Sequence, residues 1–350
     1  MLNDKIILIT GGTGTIGTAL IEHILENYSV NVIRIFSRDE TKQYLLRNKF
    51  KKFAEQLRFF IGDIRDKERL IRAMEKVDIV FHLAALKHVV ACEYNPFEAI
   101  KTNILGIQNL IEVCIDKNIE KFVFTSTDKA ATPCNTMGVT KLLAEKLVTA
   151  ANYYKGSVKT IFYSIRFGNV SGSRGSLIPL IEAQVKKKIP ITLTDKKMTR
   201  YIMSLDSAVN FIISTLKLAQ GGEVFVMKMN CVRITDLIKV LFEHFNIKYN
   251  NGTETIQIDE IGMFSGEKLY EELFSIEEAE RTYEMDSMYL IRPQLTEVSN
   301  KIDLKKYPAI MKFDKSKPFN SEDGPFLTKK EINEFLSKNN LIKEYTDILQ

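Results

Sequence analysis

Hydrophobic positions along the first half of this chain follow two alternating rhythms. Short apolar runs at 5–10, 32–36, 57–61, 79–83, 121–126 and 160–167 read as buried strands. Between them, apolar residues return at helical spacing over 16–27, 40–53, 66–74, 97–117 and 140–154, with Ala19, Leu20 and Ile24 forming the inward face of the first helix. Repeated strand–helix units predict an α/β fold: a doubly wound parallel sheet with right-handed crossovers and helices on both faces. Beyond residue 168 the alternation loosens, with helices predicted at 176–188, 204–218, 234–245 and 328–338 and a strand at 223–228. This divides the chain into a nucleotide-binding domain carrying the catalytic residues (1–168), a smaller lobe over the carboxyl edge with segments returning to the sheet (169–290), and a C-terminal extension that covers the lobe or joins subunits (291–350).

Composition narrows the function. The 350 residues are 45% hydrophobic and 27% charged, as in a folded soluble protein. Lysine and arginine number 49 against 44 acidic residues, a net +5 without any long block of one sign, which argues against a nucleic-acid track. Cys92, Cys114, Cys134 and Cys231 are scattered, make no zinc spacing, and suit reduced thiols in the cytoplasm. No apolar run nears the ~20 residues of a membrane span, so no insertion is expected.

The chemistry-bearing residues gather at strand ends. TGGTGTIG (10–17) puts Gly11, Gly14 and Gly17 between the first strand and helix, with Thr13, Thr15 and Ile16 on the same turn. A side chain at those glycines would hold a pyrophosphate away from the free helix amides. Ser37 and Arg38, after the second strand, suit a phosphate on the adenosine ribose, so NADP is expected over NAD; the alternative leaves Arg38 in solvent and Asp39 on the ribose. Asp63, next to Ile64, accepts from the adenine amino group or caps the following helix. Ala84 and Ala85 are small where the chain passes the cofactor, and Lys87 is a phosphate or sugar contact. His82 and His88 lack a third metal partner, so no metal is expected. Asn103 either holds a water at a helix bulge or lies on the surface.

After the fifth strand, Asp128 and Lys129 form a candidate acid–base pair, each charge favouring the other's ionised form. Thr127 is placed to bond a substrate hydroxyl whose carbon gives up hydride, and Lys141 to hold the nicotinamide ribose. Met137 accepts no proton and only fills space or packs against a ring. Asn169 leaves the sixth strand toward the cleft, and Arg174 and Ser176 precede a helix whose first amides suit an anion. Glu271 and Glu272 read as exposed helix residues.

Together, TGGTGTIG (10–17), FSRDE (36–40), LAALKHV (83–89), EYNPFEAIKTNILG (93–106), STDKA (126–130), MGVTK (137–141), RFGNVSGSRGS (166–176), MTRYIMS (198–204) and GEKLYEEL (266–273) resemble the extended short-chain dehydrogenases/reductases. The resemblance is to the soluble bacterial UDP-N-acetylglucosamine 4,6-dehydratases, in the subgroup with methionine in place of tyrosine. It implies a Rossmann fold, UDP-N-acetylglucosamine as substrate and a homo-oligomer, a hexamer among the options. It further implies hydride transfer from C4 of the sugar, loss of water across C5 and C6, and hydride return to C6. In those roles Asp128 matches the acid, Lys129 the base at C5, Thr127 the hydroxyl at C4 and Lys141 the lysine of the YxxxK motif, whose tyrosine falls on Met137. The base for C4 oxidation is then Lys129, Asp128 through a water, or Lys141, in that order. Asn169, Thr194, Arg200 and Glu267 match substrate contacts, Arg200 gripping phosphate or serving as a structural ion pair. Phe264 and Ser265 depart from the usual arginine–proline before GEK. The alternatives are a UDP-hexose 4-epimerase, acting on UDP-N-acetylglucosamine or UDP-glucose, and a nucleotide-binding regulator without turnover.

Overall fold

The computed structural model describes residues 1–173, 175–187, 189–244 and 257–341. Its first half alternates as the apolar rhythm predicts: β1 (Ile6–Thr10), α1 (Thr15–Asn27), β2 (Val32–Ser37), α2 (Glu40–Lys49), β3 (Leu57–Ile61), α3 (Lys67–Ala73), β4 (Ile79–His82), α4 (Val89–Tyr94), α5 (Pro96–Ile100), α6 (Gly106–Asp116), β5 (Lys121–Thr125), α7 (Thr136–Tyr154) and β6 (Ile161–Arg166). Then come β7 (Asn169–Val170), α8 (Leu177–Lys186), β8 (Ile191–Leu193), β9 (Thr199–Met203), α9 (Leu205–Leu218), β10 (Val224–Met227), β11 (Asn230–Arg233), α10 (Ile234–His244) and β12 (Ile258–Glu260). The chain closes with α11 (Ile276–Ala279), β13 (Thr282–Glu284), β14 (Met288–Ile291), α12 (Thr296–Ser299), β15 (Met311–Lys312) and α13 (Lys329–Lys338).

The main sheet runs β15-β13-β14-β10-β6-β5-β4-β1-β2-β3, parallel from β3 to β10 and antiparallel beyond. This is the doubly wound order of the Rossmann fold, in which the chain reverses direction between β1 and β4 and opens a crevice at their carboxyl ends. The central parallel strands β1, β4, β5 and β6 are buried on both faces, by α1, α2 and α9 on one side and by α3, α6 and α7 on the other, hence their unbroken apolar runs, whereas the edge strand β3 exposes Arg58 and Ile61. A smaller lobe adds the sheet β11-β9-β7 and the pair β12-β8, with Ile332 and Leu336 of α13 packed on α10.

Two elements differ from the sequence expectation. The helix expected over 40–53 ends at Lys49 and passes into a 3-10 turn, Lys51–Gln56. The helix expected over 97–117 is interrupted by a π-helical turn, Lys101–Leu105, set between α5 and α6. Asn103 sits in that turn, buried: its Oδ1 accepts from Leu86 N at 2.9 Å, while its Nδ2 donates to Leu86 O and to Thr140 Oγ1, each at 3.0 Å. Surface placement of Asn103 is therefore excluded. Its amide answers the open backbone of the loop after β4, and the wider helical turn is what lets it reach.

Candidate active site

The nucleotide end is built from the glycine turn. Gly11 has φ +68°, and a Cβ on it would stand 2.8 Å from Ala84 N, so only glycine lets the turn pass the end of β4. A Cβ at Gly17 would lie 2.6 Å from Gly12 Cα, so α1 and the turn touch backbone to backbone. The open amides at the start of α1 thus face a cradle that any larger residue would fill, which fits a dinucleotide pyrophosphate. A Gly17→Ala substitution is expected to weaken dinucleotide binding about tenfold or more, read by calorimetry.

At the adenosine side, Arg38 Nη1 lies 3.6 Å from Asp63 Oδ2, and Ser37 Oγ accepts from Gln43 Nε2 at 3.0 Å. Asp39 caps α2, accepting from Lys42 N at 2.9 Å. Asp63 caps nothing; Asp66 caps α3, while Asp63 accepts from Arg65 N and Nε at 3.0 and 2.9 Å. Burial would raise the Asp63 pKa, but Arg65 and Arg38 outweigh it and hold it below the usual carboxylate range. Ile64 is buried against Gly106.

The turn carrying the candidate acid–base pair follows β5. Thr127 Oγ1 donates to Asp128 Oδ1 at 2.9 Å, and Lys129 Nζ donates to the same Oδ1 at 3.1 Å and to Asn169 Oδ1 at 3.3 Å. A Cβ at Gly168 would stand 2.8 Å from Asp128 Oδ2, so that glycine makes room for the carboxylate. Lys129, Asn169, Arg200, Glu267, Glu271 and the 264–268 turn line a cleft of about 220 Å³. Asp128 is only 2% exposed and lies beneath it.

Glu271 corrects the sequence reading. Expected on an exposed helix face, it is 2% exposed, with Oε1 at 3.0 Å from Lys129 Nζ and 3.8 Å from Arg200 Nε. Its N–H donates to Ser321 Oγ at 2.9 Å and its carbonyl accepts from Ser321 N at 2.8 Å, so the C-terminal extension holds the segment inward. Only its neighbours in GEKLYEEL marked it; no period does, since the segment is not a helix. Burial would lower the Lys129 pKa, but Asp128 and Glu271 overcome it and raise the value, so the resting side chain is an ammonium. Burial is also the main reason the Glu271 pKa is raised.

Lys141 Nζ donates to Thr125 O at 2.9 Å and lies 4.7 Å from the centre of the Phe124 ring; burial pushes its pKa down to about 8. Met137 turns into a small apolar cluster with Cys92, Ala99, Leu86 and Val89. A Met137→Ala enzyme is expected to lose less than about tenfold in turnover, because only packing is removed. Asn135 was missed by sequence reasoning: it caps α7 through Gly138 N and donates to Gly266 O at 2.7 Å, tying the start of α7 to the GEK turn.

Of the other expected substrate contacts, Arg200 donates to the carbonyls of Thr199, Lys268 and Leu269 at 2.7–3.0 Å, a structural engagement at the cleft wall. Thr194 Oγ1 donates to Glu267 Oε1 at 3.5 Å. Ser176 stands at the start of α8 without a capping bond. Lys87 is exposed on the loop after β4, and Arg174 lies outside the described residues. Among the described residues no cluster of His, Cys, Asp and Glu could hold a metal, and no helix is long and apolar enough to cross a membrane.

Comparison with known proteins follows this geometry. Residues 7–293 match the family model of polysaccharide biosynthesis proteins. A Methanocaldococcus jannaschii protein named as an uncharacterized membrane protein is 48% identical, covering 96% of both chains. The inverting UDP-N-acetylglucosamine 4,6-dehydratase of Campylobacter jejuni is 44% identical over 87% of both, and the UDP-glucose 4-epimerase of Rickettsia rickettsii 40% identical over 83% of this chain and 84% of its own. The solved structure of Pen from Bacillus thuringiensis superposes with TM-score 0.89 at 42% identity, covering 98% of this chain and all of its own.

The expectation of NADP is corrected by the more distant structures that share the fold. The dTDP-glucose 4,6-dehydratase DesIV from Streptomyces venezuelae (TM-score 0.66, 19% identity, 75% of this chain and 86% of its own) holds NAD, as do MoeE5 and the UDP-glucuronic acid 4-epimerase of Bacillus cereus. At the adenosine end, the Arg38 side chain is 59% exposed after β2 and leans at 3.6 Å on Asp63, a carboxylate already bonded to Arg65, so it is not held as a closed phosphate clamp.

Proposed function

Because the chain belongs to the polysaccharide biosynthesis protein family, we propose that it is an NAD-dependent, inverting UDP-N-acetylglucosamine 4,6-dehydratase, forming a UDP-4-keto-6-deoxy sugar. The observation that carries this reading is the Lys129 amine, held at the cleft wall directly above Asp128 at the end of a central strand. Oxidation at C4 alone needs no acid and base at C6 and C5, whereas elimination of water needs both.

The glycine turn from Gly11 to Gly17 would hold the NAD pyrophosphate, Asp39 the adenosine ribose and Lys141 the nicotinamide ribose. NAD bound there would accept hydride from C4 and return it to C6. Thr127 bonds the C4 hydroxyl in this reading. Its own hydroxyl points at Asp128 Oδ1, so the C4 proton has a path through Thr127 to that carboxylate. The path uses neither Met137 nor Lys129, and in this reading the Lys129 amine is kept for C5. Asp128, so protonated, gives the proton to the departing C6 oxygen. Lys129 takes the C5 proton, acidified by the ketone. Asn169, Arg200 and Glu267 line the diphosphate and uridine end.

The relatives named as UDP-glucose 4-epimerases keep a second reading, reversible C4 oxidation with no elimination. Incubation with UDP-N-acetylglucosamine and mass spectrometry of the product separates the two. Loss of one water is the expected result; unchanged mass with altered sugar configuration would replace the proposal by epimerisation.

A homo-oligomer belongs to the same proposal. Phe97, Leu105, Val139, Leu143, Tyr153 and Tyr154 are exposed along α5, the π-helical turn and α7, which pack side by side. Sedimentation is expected to give a mass above the 40.1 kDa of one chain, and a Leu143→Glu protein a lower one.

A further inference from the structure

We propose that Glu271 is the group that receives a proton from Lys129, and so turns the ammonium at the cleft wall into the amine that acts at C5. The proposal rests on the dehydratase reading and adds a residue to it.

The ammonium is the difficulty the site must solve. Lys129 cannot abstract a proton while it holds three of its own, and a substrate filling the cleft that its partly exposed amine lines, beside Asp128, Asn169 and Glu271, would cut that amine off from bulk solvent. An acceptor inside the cleft is therefore required. Two carboxylates touch Nζ, and they differ. Asp128 Oδ1 already takes hydrogen bonds from Thr127 and Lys129, and the C4 proton is routed there. Glu271 Oε1 meets Nζ at 3.0 Å and lines the cleft, where no hydroxyl among the described residues competes for it; its second oxygen, Oε2, is buried without a hydrogen-bond partner, as is Asp128 Oδ2, so the distinction between the two lies in what Oδ1 of Asp128 already accepts. An ionised carboxylate with one oxygen shut away from every donor is poorly stabilised; a neutral carboxyl is not. Asp128 nearby disfavours a second negative charge, and Arg200, at 3.8 Å, offsets this only in part, consistent with the raised pKa. The backbone of Glu271 is fixed on both sides by Ser321, so the carboxyl is presented rather than free to swing away.

The step balances. An N–H bond of Lys129 breaks and an O–H bond forms on Glu271, converting an ion pair into a neutral pair with no change in net charge. The amine lone pair then takes the C5 proton, and the C–H electrons become the enolate of the 4-ketone. The proton that came from the C4 hydroxyl leaves with the C6 oxygen as water. C5 is later reprotonated at the expense of the Lys129 ammonium, directly or through solvent, and the neutral pair collapses to the resting ion pair.

The test is a single turnover of UDP-N-acetylglucosamine in deuterated water by the wild-type, Glu271→Gln and Glu271→Asp enzymes. Deuterium at C5 and reduced-nicotinamide absorbance, which reports C4 oxidation, are followed together. Glutamine keeps the shape and the contact but cannot accept the proton. C5 deuteration by E271Q is expected to slow about 100-fold or more, while C4 oxidation changes less than about threefold, and E271D restores part of the deuteration. E271Q protein that deuterates C5 at the wild-type rate, or loses both steps to the same extent, overturns the proposal. A wild-type enzyme that neither deuterates C5 nor releases water overturns the dehydratase reading itself, and the role of Glu271 with it.

Discussion

Lys129→Ala is expected to abolish product, with turnover down by about a thousandfold or more. The amine meets Asp128, Asn169 and Glu271 within 3.3 Å, and among the described residues the other lysine lining the cleft, Lys268, has its ammonium engaged by Glu272 at 3.1 Å. Removing it also leaves two buried carboxylates facing one another, so a loss of stability would cloud the result. Lys129→Arg resolves this: arginine keeps the positive charge and can satisfy both carboxylates, yet does not release a proton at any ordinary pH. K129R is expected to melt near the wild-type temperature and to remain as inactive as K129A. Product formation by K129R within about tenfold of wild type would remove Lys129 from the chemistry and leave it a structural cation.

The largest effect on stability is expected at Arg166. This side chain is fully buried and makes paired contacts with Glu145 Oε1 and Oε2 at 3.1 and 2.6 Å, and with Glu278 Oε2 and Oε1 at 2.8 and 3.2 Å. It also donates to Leu273 O at 2.9 Å, joining β6, α7 and the segment that carries Glu271. Arg166→Met would fill most of the volume but strip Glu145 of its arginine and leave Glu278 only Arg281 at 3.5 Å and the Ser275 N–H at 3.1 Å, at a cost of about 3–5 kcal/mol. The pH dependence gives a second reading. Burial would raise the Glu278 pKa, but Arg166 overcomes it, and the net folded value is lowered. In the wild type this carboxylate therefore adds stability that is present above its unfolded pKa and is lost as the pH falls through the folded one. Without Arg166 burial dominates, the folded pKa rises, and the variant should gain stability relative to wild type on acidification from neutral pH. Urea midpoints at both pH values check this; parallel curves would mean that Arg166 does not hold Glu278 ionised.

What the chain reveals unaided depends on the range of the interaction. The glycine turn and the Asp128–Lys129 pair are contiguous in sequence and bound to a strand end, so local pattern and chemistry place them together. Glu271 reaches the same cleft from more than a hundred residues away, through a segment without helix or strand period and held by Ser321. Nothing local distinguishes such a carboxylate from a solvated one. Asn103 is intermediate: its helix was legible, but its inward turn depends on meeting the N–H and C=O of Leu86, which only the fold brings near. Arg38 shows the opposite error, a side chain whose local context suits phosphate but whose partner, Asp63, stands on the next strand's exit.

The pair of hydrogen bonds between Ser321 and Glu271 ties the C-terminal extension to the cleft. A shortened gene product ending ahead of that serine would retain the whole glycine cradle while its Glu271 segment lost its fastening. Such a fragment would sequester dinucleotide and convert no sugar, so nonsense changes late in the reading frame would yield an idle cofactor sink rather than a milder enzyme.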